Sequence, residues 1–144
     1  MSYRILLLVY RKPGTTPEEF KAHYEGIHVP LERALAGEYY PLSHTRRYID
    51  RAPGRADNGE TERNAQYPAS IIMGTQADFD FDAISELTFE DQAAFQSFFD
   101  FMTQPENAAK LAADEELFLD RSKMPIAIVG DYIETKKTDT WARG

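Results

Sequence analysis

Cysteine is absent from the 144 residues, and with it go disulfides, zinc–thiolate and iron–sulfur sites and thiol nucleophiles. Histidine is nearly as scarce, at three residues, and tryptophan occurs once. No apolar run approaches the roughly 20 residues of a membrane-spanning helix, and Ile5–Tyr10 is too short and wrongly flanked for a signal segment. No G-x-G-x-x-G, Walker loop, G-x-S-x-G or H-E-x-x-H occurs, so nucleotide, flavin and serine-hydrolase chemistry find no support. Basic charge is short as well: 16 bases stand against 24 acids, a net charge of −8. Such a body repels phosphate backbones, which argues against nucleic acid as a partner. The expectation is a soluble, cytoplasmic protein with no membrane association.

The acidic excess is local. Twelve acids and a single base, Lys110, fall between Asp78 and Asp120. The cluster Arg46, Arg47, Arg51 and Arg55 is the one place suited to a small anion. Apolar residues supply 42% of the chain, with nine Phe and eight Tyr. A chain of this length forms one domain and buries about two-thirds of its unfolded surface. We assign that domain to residues 1–134, with 52–80 as a long loop or insertion and 135–144 as a polar tail relieved only by Trp141.

Tyr3–Arg11 is a nearly continuous apolar run and reads as a central strand buried on both faces. Thr16-Pro17-Glu18-Glu19 opens a helix with an N-cap, a proline at the first position and capping-box spacing. Gly26 and Pro30 predict a break there, followed by a short helix over 30–36 that stops at Gly37. Leu42–Arg51 reads as a strand with His44, Arg46 and Tyr48 on one face. Turn signals and charge make Ala52–Pro68 an exposed loop, with Ile71-Ile72-Met73 as an apolar stretch expected to dock locally. Phe81–Phe89 alternates as a half-buried strand, then come a Phe-rich helix, a helix from Pro105 to about Leu119, and a last strand over 125–133. The order β–α–β–β–α–α–β is an α+β, ferredoxin-like plan: a four-stranded antiparallel sheet with helices on one face. The uncovered face calls for a partner, and a homodimer packed sheet to sheet is the natural solution.

Few residues can carry chemistry. His23 and His28 are five apart, about 140° around a regular helix at roughly 100° per residue, which is poor geometry for a shared metal. No third ligand suggests itself, so the expectation is no metal and no cofactor. At the start of the second helical piece, His28 meets the positive dipole end, which lowers its pKa and keeps it neutral as a base; the plain alternative is a turn histidine bonded to backbone. His44 either flanks a pocket floor or is a half-exposed strand residue. Glu115 is the one charge taken to lie on the stripe Ala108, Leu111, Ala112, Phe118, Leu119, as an inward acid with a raised pKa or as a structural partner of Arg121. Asp114, Glu116 and Asp120 read as the solvated face. Tyr10, Tyr24 and Tyr48 offer phenolic donors. Phe95 and Phe99 belong to a cluster larger than packing requires, suited to an apolar, aromatic or polyketide-like metabolite.

The segment Phe20-Lys-Ala-His23-Tyr24-Glu-Gly-Ile-His28-Val-Pro30-Leu31, after a strand ending Tyr10-Arg11-Lys12-Pro13-Gly14, resembles the EthD family of dimeric α/β-barrel proteins. Ile84–Phe89, Asp91–Phe99 and Asp114–Arg121 extend the likeness over nearly the whole chain except 52–76 and the tail. The resemblance implies a ferredoxin-like subunit that dimerises into a barrel, with a pocket between sheet and helices. It implies cofactor-independent chemistry like that of dehydratases, cyclases and oxygenases of polyketide tailoring, or an accessory role in ether degradation. The second histidine of the family's H-Y-x-x-x-H-x-P-L pattern falls on His28. Three readings follow: a lyase or cyclase in which His28, aided by His23, His44 or Glu115, moves a proton beside a carbonyl; a cofactor-free anthrone-type oxygenase; and a non-catalytic metabolite-binding protein.

Overall fold

Tyr3–Val9 forms β1, an inner strand of a four-stranded sheet. Ser43–Tyr48 (β2), Ala83–Phe89 (β3) and Ile126–Val129 (β4) complete it in the order β2-β3-β1-β4, with every pair antiparallel. The computed structural model describes residues 2–54 and 62–140. Helices α1 (Pro17–His23), α2 (Val29–Ala36), α3 (Gln92–Met102) and α4 (Pro105–Phe118) fill the connections. This is the expected α+β, ferredoxin-like plan.

Strand alternation decides what faces the helices. Pairing of Ile5 with Leu87, Val9 with Ala83 and Tyr48 with Ala83 puts odd-numbered β1 and β3 residues and even-numbered β2 residues on that side. Ile5, Val9, Ala83, Ser85, Leu87 and Phe89 are buried there. Leu6 and Leu8, on the other face, are only half-buried, because no layer among the described residues covers them. The expectation of a strand buried on both faces therefore holds for one face of the single chain. Two core clusters result. Ile5, Leu87 and Phe89 pack with Ala36, Phe98 and Met102; Val9 and Ala83 pack with Phe20, Tyr24, Phe118 and Leu119.

The Thr16 cap forms both bonds of a capping box: Glu19 N–H donates to Thr16 Oγ1 (3.1 Å), and Thr16 N–H donates to Glu19 Oε1 (3.0 Å). The predicted break at Gly26–Pro30 does not form. Instead Tyr24–His28 is a π turn that joins α1 to α2, with Val29 N–H bonded to the Tyr24 carbonyl. Proline, lacking an N–H, is tolerated at the start of α2 because the wider turn has already displaced the regular bonding pattern. The outer strands are shorter than their sequence signals: β2 stops at Tyr48 and β4 at Val129.

The 52–80 segment departs most from expectation. Residues 55–61, which include Arg55, lie outside the described residues, but the stretch that follows is docked rather than exposed. Asn64 is buried, Ala69 bridges to Arg51, and short 3₁₀ turns form at Glu62–Asn64 and Gln76–Phe79. Of Ile71–Met73 only Ile71 is partly buried; Ile72 and Met73 stand fully or largely exposed. What anchors the segment is charge. Asp82 lies between Arg11 (Nε 3.4 Å) and Arg51 (Nε 3.0 Å), all three side chains being 1–3% exposed, and accepts the Arg11 N–H at 2.7 Å. Arg11 also donates to Asn64, Arg51 to the Tyr67, Phe79 and Phe81 carbonyls, and Arg63 to Asp120. Arg46 is likewise engaged, doubly bonded to Glu25. Of the arginines clustered in the sequence, Arg46 and Arg51 are thus taken up by internal partners, while Arg47 is exposed. Residues 135–140 of the tail are exposed, and Trp141 lies outside the described residues.

Candidate active site

Between the sheet and the helices lies a cavity of about 330 Å³ that draws its lining from both core clusters. Phe95, Phe98, Phe99, Met102 and Leu111 from α3 and α4 supply an apolar wall, and Leu7, Leu87 and Ile126 supply the floor. Tyr24, His28, Glu32, His44 and Ser85 gather at one end, and Tyr10, Glu115, Asp120, Arg121 and Lys123 add a second polar zone. The size and the few convergent polar groups suit a small, largely apolar molecule.

The π turn organises the polar end. A bonding pattern of i to i+5 returns residues five apart to the same side, so His23 and His28 both reach α4. There Asp114 meets them with one oxygen each: His23 Nε2 lies 2.8 Å from Oδ1 and His28 Nδ1 2.9 Å from Oδ2. Asp114 is therefore no solvated-face residue; it is 8% exposed, and His28 is 5%. Its position was detectable, since Leu111, Asp114 and Phe118 share helical spacing as well as Leu111, Glu115 and Phe118 do. An ionised carboxylate only accepts, so hydrogens are assigned to Nε2 of His23 and Nδ1 of His28. His28 Nε2 is left toward Glu32, whose Oε2 is 3.5 Å away. Glu32 is a second residue the sequence reading passed over, although it stands one turn after His28.

These carboxylates reverse the expected charge behaviour of His28. Burial opposes its protonation, but Glu32, Asp114 and Glu115 more than offset that, and its pKa lies above the ordinary value. No helix N-terminus faces it to do the opposite, because the chain runs on helically through the π turn. His44 is the contrasting case. Burial pulls its pKa down, its Nε2 is 2.6 Å from Ser85 Oγ, and its Nδ1 is buried with no partner in the protein. Ser85 in turn bonds Tyr24, whose hydroxyl is pushed well above its usual range by burial and so keeps its proton.

Of the other candidates, Tyr10, Phe95, Phe99 and Glu115 line the cavity. Burial raises the Glu115 pKa, and Arg121 Nε stands 3.3 Å away. Tyr48 does not line it. Its hydroxyl donates to Glu25 (2.5 Å) and its ring packs on Phe20. His23 lies behind the cavity and opens onto a separate groove with Thr15, Glu19, Ile27 and Leu117. No group of three or more acidic or histidine side chains arranged to hold a metal occurs among the described residues. No helix among them is long and apolar enough to cross a membrane.

An antiparallel α+β sheet with a cavity beneath its helices and an Asp–His pair in the cavity wall defines the class. The chain belongs to the EthD domain family, whose model matches residues 12–122, the span that holds His23, His28, His44 and Asp114. Among solved structures it is similar to an ethyl tert-butyl ether D (EthD) family protein from Bacillus halodurans C-125. That protein is 19% identical, the match covers 92% of this chain and all of that one, and the TM-score is 0.50. It is also similar to an EthD-like protein from Ralstonia eutropha JMP134, 14% identical over 93% of this chain and 95% of that one, with a TM-score of 0.53. At such identities the likeness speaks for the fold. No curated protein matches the chain in sequence.

Proposed function

We propose that this protein is a cofactor-independent lyase of the dehydratase or cyclase type, acting by proton transfer on a small apolar, oxygenated, polyketide-like metabolite. The observation that carries the reading is His28. One ring nitrogen is tied to the buried carboxylate of Asp114, and the other, 3.5 Å from Glu32 Oε2, stands with that carboxylate at the wall of a cavity of ligand size. A carboxylate at Nδ1 fixes the tautomer and stabilises the imidazolium, as a general base requires. In this reading His28 Nε2 removes a proton from the carbon next to a carbonyl. The electron pair moves onto the carbonyl oxygen, which Tyr24 stabilises with its hydroxyl hydrogen. The carbonyl then re-forms, the pair makes a carbon–carbon double bond and the β carbon–oxygen bond breaks, the imidazolium giving its proton to the departing hydroxyl as water; in a cyclisation the enolate carbon instead attacks a second carbonyl, whose oxygen takes that proton. His44, neutral at its depressed pKa, keeps Ser85 and Tyr24 oriented. Glu115 is a further acid at the cavity wall.

The test is hydrogen–deuterium exchange at the carbon next to the carbonyl of α-tetralone, a bicyclic aryl ketone, followed by NMR in deuterated buffer. The protein should accelerate exchange over buffer, and His28→Gln should lose about 10²–10⁴-fold of that acceleration while staying folded. Full acceleration in folded His28→Gln would overturn the assignment. Ketone binding without any acceleration would favour a binding protein instead, and oxygen consumption with an anthrone would favour an oxygenase.

A further inference from the structure

We propose that His23 is a positioning residue that sets the charge state of His28 through the carboxylate they share, coupling an imidazole at the outer groove to one in the cavity. The proposal rests on the proton-transfer role of His28 given above. Its basis is geometric. Asp114 spends one oxygen on each ring, at 2.8 and 2.9 Å. The two rings open onto different spaces, His28 onto the cavity and His23 onto the groove beside Ile27 and Leu117. Both lie against Phe118, with centroids at 4.5 Å for His23 and 5.0 Å for His28, so little solvent stands between them to screen their charges.

Two imidazoles that share a single carboxylate cannot bind protons independently. The first proton is stabilised by the full charge of Asp114, and the second arrives at a carboxylate already neutralised. Other groups facing His28 are Glu32 from α2, Glu115 from α4, His44 from β2 and the uncharged Tyr24 of its own helix. None of these touches both rings. Asp114 does, so it is the route by which His23 is felt at His28. A substrate filling the cavity shuts His28 off from water but leaves His23 open on the other side of α4. Solvent pH then continues to act on the base while the site is occupied.

Three histidines in the chain make the experiment direct: each imidazole is followed by NMR across pH in the ligand-free protein, without turnover. In the wild type, His23 and His28 should titrate with two common inflections, each curve broader than a single site. In His23→Gln, whose amide still donates to Asp114 but cannot titrate, His28 should collapse to one single-site step. A His28 curve that is single-site in the wild type, or identical in His23→Gln, overturns the proposal. His23→Phe separates charge from support: if it alone alters the His28 curve, His23 only holds Asp114 in place and the coupling is refuted. Because the readout needs no catalysis, these results stand apart from the exchange assay on His28→Gln.

Discussion

At the scale of single residues, the site turns on how a carboxylate changes the ring beside it. Asp114 holds two imidazoles and is nearly buried, so its charge matters more than that of any surface acid. Replacing it by Asn keeps the shape and removes the charge. We expect Asp114→Asn to lower the His28 pKa, visible as a shift of its NMR titration to lower pH, and to reduce exchange catalysis at neutral pH. The same interaction has a stability consequence. His28 titrates above 6.5, its ordinary value, so its protonation favours the folded state. That stabilisation is full below pH 6.5 and disappears as pH rises through the folded-state pKa. Urea unfolding at a series of pH values should show this loss in the wild type and little of it in His28→Gln. The reading of Asp114 as solvated failed for a plain reason. Adjacent acids on a helix lie about 100° apart, and an apolar stripe wide enough to include Glu115 includes Asp114 too.

Among the elements, the π turn matters most for the site. It inserts the equivalent of one residue, which is what lets His23 and His28 converge on one carboxylate. Deleting Gly26, exposed and without neighbours around its Cβ position, should restore regular helix with the two histidines four apart, about 40° around it and so still on one side. We expect that deletion variant to keep both its helical circular dichroism and the coupled titration. The second element-level device is the arginine network that ties 62–82 to β1. Asp82 is the common counter-ion of Arg11 and Arg51, both nearly fully buried. Asp82→Ala leaves two cations without it, and a loss of about 3–5 kcal/mol in urea unfolding is expected. The turn signals of 52–68 said nothing of this docking, because its partners, Arg11, Asp82 and Asp120, are remote in sequence.

For the whole molecule, the described residues cover the sheet on one face only. Leu6, Leu8 and Ile84 lie half-buried on the open side. Apolar surface of this kind is withdrawn from water by association, and a second copy with the same patch is self-complementary. We therefore propose a homodimer in solution. Sedimentation or light scattering should give about twice the 16.5 kDa chain mass, and the double variant Leu6→Glu/Leu8→Glu should shift it toward the monomer. A monomeric wild type at all concentrations would rule this out.

Local signals were enough for much of the architecture. Alternation in Phe81–Phe89 placed Ser85 and Leu87 on the inner face, the Thr16–Glu19 pair marked a helix start, and element order led to the ferredoxin-like sheet. These depend on contacts between near neighbours in the chain, and periodicity records them. The absence of cysteine, the scarcity of histidine and the missing nucleotide motifs also gave the expectation of chemistry by proton transfer before any fold was known. The convergence of His23, His28 and Asp114 could not be read this way. It depends on a five-residue turn that proline and glycine signals present as a break, and on α4 crossing it from about 90 residues away. Only the packed structure sets that crossing, and with it whether His28 sits by a dipole that empties it or by carboxylates that hold its proton.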